Sequence, residues 1–322
     1  MPHPSKKSAP APPEIGPGLF GSVLLALVML GWVFAYTPDP RVIATVPGLV
    51  AFLALVERCR TWKQVVLWTI LFGAVATGIG YRWLAATVQL FGGVPPVLSW
   101  IAVALFGVWN TIHAWIFAAF YRGMLQRGRR PHPLITVALF VACESLPIRM
   151  FGWMSGHGAV DVPPLLQHAE WGGVPGVSFA LLCLVVPLYE ILRWAFVRYG
   201  PPARVRGAIL TFAIGVLLFA FGAYRYDQVR REEADASRHV RVGIVQPNVG
   251  TLQKRRAPDG VEEVRAANIA KYREVTEKAV EAGAEIVVWP ESAITDPVPM
   301  DYPYKTNQFL RRAGYGFLVE AG

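Results

Sequence analysis

Glu291 is the side chain whose type and position first suggest chemistry. It stands in Glu285-Ile286-Val287-Val288-Trp289-Pro290-Glu291-Ser292-Ala293. Ile286, Val287 and Val288 form a short apolar run that suits a strand buried on both faces. Pro290 cannot donate to a sheet ladder, so the strand should stop there. Glu291 then falls just past the strand's carboxyl end, where open α/β sheets place their ligands and reactive groups. A carboxylate whose pKa is raised by burial beside Trp289 and Pro290 would suit a general base. The plain alternative is a solvated glutamate in a turn.

Other candidates are weaker. Cys143-Glu144-Ser145 superficially resembles a nucleophile motif, but it lies inside an apolar run, where a free cysteine acts mostly as a small hydrophobe. Glu144 and Arg149, five residues apart near a helix end, are ionisable groups in an apolar setting and hence functional candidates. A structural Glu–Arg pair accounts for them more simply. His157, His168 and Glu170 have the right donor atoms for a metal, but their spacing matches no helical or CxxC-type ligand pattern, so none is assigned. Trp153 and Trp171 suit either lipid-pocket walls or anchors at a membrane interface. Cys59, Cys143 and Cys183 have no CxxC spacing and indicate neither a disulfide framework nor a zinc site.

The elements that must position these groups can be read from composition. The 322 residues are 54% hydrophobic and only 16% charged, against roughly 25% charged in average globular chains. The charge deficit belongs to the first 226 residues. The net charge of +9 is what cytoplasmic loops of a membrane protein carry, and it need not mean nucleic acid. Residues 1–18, rich in Pro, Ser and Lys, read as a disordered tail. Seven apolar runs come next, at about 19–36, 42–56, 64–88, 97–121, 133–149, 176–197 and 207–224. Several approach the ~20 residues that cross a bilayer. No small-residue cleavage site stands after the first run, which therefore reads as an anchor rather than a signal peptide.

Charge placement supports seven spans. Alternate connections hold Lys6 and Lys7; Arg58, Arg60 and Lys63; Arg122, Arg127, Arg129 and Arg130; and Arg193, Arg198, Arg204 and Arg206. That is thirteen basic residues against about two in the other set. The positive-inside rule makes the first set cytoplasmic and puts everything after Tyr226 outside. Residues 227–239 read as a charged linker. Val240–Pro247 alternates into a strand, and apolar positions Val261, Val264, Ile269, Tyr272, Val275 and Ala279 recur at near-helical spacing. Gly283 is a helix C-cap candidate, and the next strand is Ile286–Val288. Strand, helix and strand make a βαβ unit with a parallel pair. A helix near 306–313 and a strand at 315–319 continue the alternation. About 80 residues is thin for such a sheet, whose faces need cover. The expectation is the first part of a larger domain, completed by further sequence or by a second polypeptide.

Arg241–Pro247 (RVGIVQP) followed by Ile286–Ser292 (IVVWPES) resembles the opening of a carbon–nitrogen hydrolase, or nitrilase-like, domain. Such a domain hung outside the membrane from a polytopic bundle resembles the apolipoprotein N-acyltransferase family. Phe151-Gly152-Trp153-Met154, Gln167–Gly173 and Gly176-Val177-Ser178-Phe179 are similar to that family's elements before its sixth span. Gly152 departs from the family's usual proline, and Leu252–Arg256 lacks the aromatic residue many members carry there.

The resemblance implies a seven-helix membrane domain (19–226), then part of an αββα-sandwich nitrilase-like domain (240–322) in a bacterial inner membrane. It implies Glu291 as the base of a Glu-Lys-Cys triad, with the lysine, the cysteine and an eighth span expected beyond Gly322. It implies Phe151 and Trp153 as substrate contacts, and no cofactor. The implied reaction moves a fatty acyl chain from a membrane phospholipid to a lipoprotein's diacylglyceryl-cysteine through a thioester. The rival reading is a catalytically incomplete relic or partner subunit that acts by interaction.

Overall fold

The computed structural model describes residues 19–35, 42–59, 61–146, 148–197, 202–249, 262–290 and 293. The chain divides into two units, residues 1–233 and 234–322.

The first unit is helical. Its elements are α1 (Leu19–Ala35), α2 (Val42–Arg58), α3 (Trp62–Gly80), α4 (Arg82–Gly92), α5 (Pro96–Asn110), α6 (Ile112–Gln126) and α7 (Pro133–Ser145), a 3-10 turn (Ser155–Ala159), α8 (Pro163–Leu166), α9 (Ala169–Val197) and α10 (Pro202–Ala234). Local chemistry sets several boundaries. Thr61 and Gln64 exchange the reciprocal bonds of a capping box at the start of α3. Pro96 and Pro133 open α5 and α7, where a missing N–H costs nothing. Within α9, Gly173 at φ 58° breaks the helix near its start, and Pro175 comes two residues later.

Each of the seven apolar runs falls on a helix or a helix pair. The run at 64–88 breaks at Tyr81 into α3 and α4, and the run at 97–121 breaks at Thr111 into α5 and α6. The Thr111 hydroxyl bonds back to the Gly107 carbonyl at 2.8 Å. Beside it Gly73 and Gly107 bring α3 and α5 into backbone contact that any Cβ would obstruct. Among the described residues three helices are long and apolar enough to cross a membrane: α3, α9 and α10. They become four if α5 and α6, bent by 45°, form one span. α1 and α7 are shorter apolar helices.

The core of this unit joins α2, α3, α6, α7 and α9. Phe52, Phe72, Phe117 and Phe140 meet edge-on or tilted, with Phe117 and Phe140 4.7 Å apart between centroids. Such pairs add to area burial through their quadrupoles. At the end of α2 the buried Glu57 carboxylate accepts from the Tyr189 hydroxyl and pairs with Arg130 and, at 2.8 Å, with Arg193. A carboxylate taken this far from water needs such partners.

Charge does not end α10 at Tyr226. The helix continues through the charged residues read as linker as far as Ala234, and Asp227 pairs with Arg231 at 2.6 Å across one turn.

In the second unit β1 (Val242–Ile244) pairs in parallel with β2 (Ile286–Val288), Val242 opposite Ile286 and Ile244 opposite Val288. α11 (Glu262–Glu281) forms the crossover. Val245, Tyr272 and Ala293 make its small core, with Val275, Val287 and Trp289 packed against them. Gly283 at φ 84° ends α11. Its N–H reaches the Val280 carbonyl and that of Ala284 reaches Ala279, the paired bonds of a Schellman cap. The other sheet face is bare: Val242, Ile244, Ile286 and Val288 are all exposed. The expected helix and strand at 306–319 lie outside the described residues.

Candidate functional site

Among the described residues, polar groups buried within apolar packing concentrate where α7 ends and the chain turns toward α9. α7 is built from a nearly continuous apolar run, so its last turn delivers Glu144 into the core, fully buried. The Glu144 carboxylate accepts from the Ser155 N–H at 2.9 Å and from the Ser155 hydroxyl at 2.6 Å. Ser178 on α9, also buried, accepts the Gly156 N–H at 2.8 Å. A Cβ at Gly156 would collide with the backbone of α9, so glycine is required for this close approach. The 3-10 turn is thereby fastened to α7 and α9 together.

Arg149 is the second hub. Its guanidinium donates to the Glu144 carbonyl at 2.6 Å, the Trp153 carbonyl at 2.6 Å and His113 Nδ1 at 3.1 Å. The expected Glu–Arg side-chain pair is therefore replaced by two separate roles. Glu144 holds Ser155 through its carboxylate, while Arg149 gathers carbonyls. One guanidinium presents five donors in a fixed fork, which suits several acceptors at once.

The two aromatic candidates sit on this frame in different surroundings. Phe151 stacks on Tyr81 with centroids 5.6 Å apart and planes within 8°, and meets Phe106 edge-on at 5.7 Å. Exposed Trp83 closes this box at 6.4 Å. Trp153 instead stacks on His157 at 4.7 Å. His157 Nδ1 accepts the Met154 N–H at 2.9 Å. Burial pushes the His157 imidazole below its ordinary pKa; the Met154 backbone bond opposes this, and the nearby Arg149 charge adds to it.

The remaining candidates separate. His168 Nε2 reaches the Leu218 carbonyl at 3.0 Å, fixing the turn before α9 to α10. Glu170 forms a two-point pair with Arg225 at 3.0 and 3.1 Å beside exposed Trp171. Among the described residues no three His, Cys, Asp or Glu side chains group as metal ligands. Cys143 is buried on α7 with its thiol free. His113 was not singled out by the sequence, although a histidine within an apolar run is a signal for function.

Glu291 and Ser292 lie outside the described residues; the frame on either side of them is described. The Trp289 indole N–H donates to the Thr276 hydroxyl on α11 at 3.1 Å, and its ring packs on Tyr272 at 4.8 Å, tilted by 32°. The Ala293 N–H bonds the Pro290 carbonyl at 3.2 Å.

Comparison with known proteins decides the family. The family description "Apolipoprotein N-acyltransferase N-terminal domain" matches residues 29–187, a stretch that runs from α1 into α9 and contains Glu144, Arg149, Phe151 and Trp153. Residues 29–187 carry the N-terminal domain of the apolipoprotein N-acyltransferase family. The apolipoprotein N-acyltransferase of Geobacter metallireducens is 29% identical over 225 residues, 68% of this chain and 41% of that protein. That of Haemophilus ducreyi is 25% identical over 271 residues, 82% of this chain and 46% of that protein. That of Photobacterium profundum is 25% identical over 254 residues, 77% of this chain and 45% of that protein. The chain thus spans less than half the length of these curated relatives. In the apolipoprotein N-acyltransferase frame, the Glu144–Arg149–Ser155 fastening belongs to the family-matched part, and the β1–β2 unit lies beyond it.

Proposed function

We propose that this chain supplies the membrane domain and the first part of a nitrilase-like domain of an enzyme that N-acylates lipoproteins. The acyl donor is a membrane phospholipid, and the acceptor is the α-amino group of a lipoprotein's diacylglyceryl-cysteine. Glu291 takes the proton from a cysteine thiol, the thiolate attacks the donor ester, and the proton passes to the departing lysophospholipid. A lysine stabilises the oxyanion. The amine then attacks the acyl-enzyme thioester, and the thiol is regenerated. The thiol and lysine come from sequence outside these 322 residues. Seven spans carry the domain to the outer face of the bacterial inner membrane. Phe151 and Trp153 line the path of the acyl chain at its mouth.

The observation that carries this reading is the parallel register of β1 and β2. In a parallel pair the carboxyl ends lie at one edge, so Gln246-Pro247-Asn248 and Trp289-Pro290 leave the sheet on the same side. Open α/β sheets place their chemistry at that edge. The bare face formed by Val242, Ile244, Ile286 and Val288 supports a domain completed by further strands. These strands belong to the same polypeptide in the favoured reading. In the alternative a second polypeptide supplies them, and the chain acts as a partner subunit.

The test is phospholipid-dependent acylation of a diacylglyceryl-cysteine lipopeptide by membranes. Membranes containing the 322-residue chain alone should give none. Those carrying the native gene product with its lysine- and cysteine-bearing sequence should be active, and Glu291→Gln should reduce that activity by orders of magnitude. An E291Q enzyme at full rate would remove Glu291 from the mechanism. Activity of the 322-residue chain alone would remove the thioester route through an external thiol.

A further inference from the structure

α7 contains 13 residues, about 20 Å of helix at 1.5 Å per residue. The hydrocarbon layer of a bilayer is about 30 Å thick. The aqueous face before α7 is marked by exposed Arg127 and Arg129. A helix that enters the bilayer beside them ends well short of the opposite face. The described residues after α7, Leu146 and 148–150, are not helical, yet they are strongly apolar toward the outside. Leu146 is 79% exposed, Ile148 89% and Met150 63%, while Arg149 between them turns inward.

Irregular backbone is tolerated at membrane depth only where its polar groups find protein partners. Several find them here. The Trp109 indole donates to the Ile148 carbonyl at 3.2 Å. The Leu146 N–H reaches the Ala142 carbonyl at 3.1 Å. Arg149 takes the carbonyls of Glu144 and Trp153. Half-exposed Trp83 and Trp109 flank the segment, as aromatic side chains do at the headgroup level. Trp109, which bonds Ile148, belongs to α5, where Ile101 and Leu105 are also exposed.

We propose that Leu146, Ile148 and Met150 form a lipid-contacting wedge that completes the short crossing begun by α7, with phospholipid acyl chains as its partner. Arg149 is the positioning residue that turns these three side chains outward by holding the backbone from the inside. The proposal rests on α7 lying in the membrane and not on the acyl-transfer reaction.

A nitroxide on a single cysteine at 148, in full chain freed of Cys59, Cys143 and Cys183, tests it. The protein is reconstituted in vesicles of phosphatidylethanolamine and phosphatidylglycerol, with the same label at Asp161 as reference. Collisions with oxygen should exceed those with a water-soluble nickel chelate at 148, and the ratio should reverse at 161. Nickel-dominated relaxation at 148 overturns the proposal, because the segment is then in water. Shielding from both reagents also overturns it, because protein then covers the site. Should the cysteine-free chain fail to fold, a diazirine amino acid at 148 in the otherwise native chain gives the same decision. Lipid adducts are the expected product, and adducts to protein or water alone refute the wedge. Loss of acyl transfer in these variants leaves the result intact, since contact and not turnover is read.

Discussion

At the scale of single residues, the turn between α7 and α9 is held by groups that satisfy one another at a distance in sequence. Glu144 and Arg149 stand out in the sequence as charges at the edge of an apolar run, and a mutual pair is the simplest expectation. Their partners are Ser155, His113 and two backbone carbonyls, because the chain reverses there and brings new acceptors within reach. No spacing rule links residue 113 to 149, so that contact was not legible. The His157 imidazole, stacked on Trp153, makes this arrangement sensitive to pH. Its pKa is lowered in the folded protein, first by burial, while an unfolded histidine titrates near 6.5. The unfolded chain therefore binds the proton more readily as pH falls below that value. His157 contributes stability that is present above pH about 6.5 and is lost as pH falls toward its lower folded pKa. His157→Asn keeps an acceptor for the Met154 N–H and removes the titration. Thermal melts in detergent between pH 7.5 and 5 should fall less steeply for this variant than for the parent. Equal slopes would mean that other groups carry the acid sensitivity.

At the scale of elements, the apolar runs and the crossover helix were readable because burial leaves a periodic mark. α11 spans Glu262–Glu281 within the run expected from Val261 to Ala282, and its end was signalled by Gly283. Less legible were the breaks at Tyr81, where Gly78 and Gly80 precede it inside the apolar run, and at Thr111, which neither glycine nor proline adjoins. At Thr111 the tight α3–α5 approach, which is tertiary, joins a local back-bond to the Gly107 carbonyl. The continuation of α10 past Tyr226 was hidden for the opposite reason, since charged residues paired one turn apart read equally as a solvated linker. Gly283 gives the sharpest test at this scale. At φ 84° an L side chain adopts the left-handed region, at a cost of ~1–2 kcal/mol. A Cβ there would also press on the Arg241 guanidinium. That guanidinium donates to the Ala282 carbonyl at 2.7 Å, a cation at a helix C-terminus. Gly283→Ala should make residues 234–322 more susceptible to proteolysis, and Gly283→Asn, which tolerates the left-handed region, should recover much of the loss. Indistinguishable digestion of all three proteins would show that the cap does not limit the unit's stability.

At the scale of the molecule, helix length and charge placement give different membrane counts, and each count sends the chain's loops to different sides. The alternation of basic connections argues for seven crossings that start inside. Length and apolarity alone admit three helices, or four with the α5–α6 pair. α1, α2 and α7 decide the matter, because each is too short to span about 30 Å of hydrocarbon unaided. Local thinning of the bilayer at short spans costs only fractions of a kcal/mol per Å, so shortness alone does not keep them out. Fusions of a phosphatase that is active only outside the cytoplasm separate the counts when placed after Arg127, Asp161 and Asp235. Seven crossings predict an inactive fusion at 127 and active ones at 161 and 235. Four crossings, with the start of α3 inside, predict three inactive fusions. Three crossings predict three active ones, which would place Arg122, Arg127, Arg129 and Arg130 on the outer face against the charge rule. The pattern inactive, active, active is the expected result. It would also put the β1–β2 unit on the side where lipoproteins mature. An inactive fusion at 235 would move that unit to the cytoplasm and end the assignment of Glu291 to an extracytoplasmic acyl transfer.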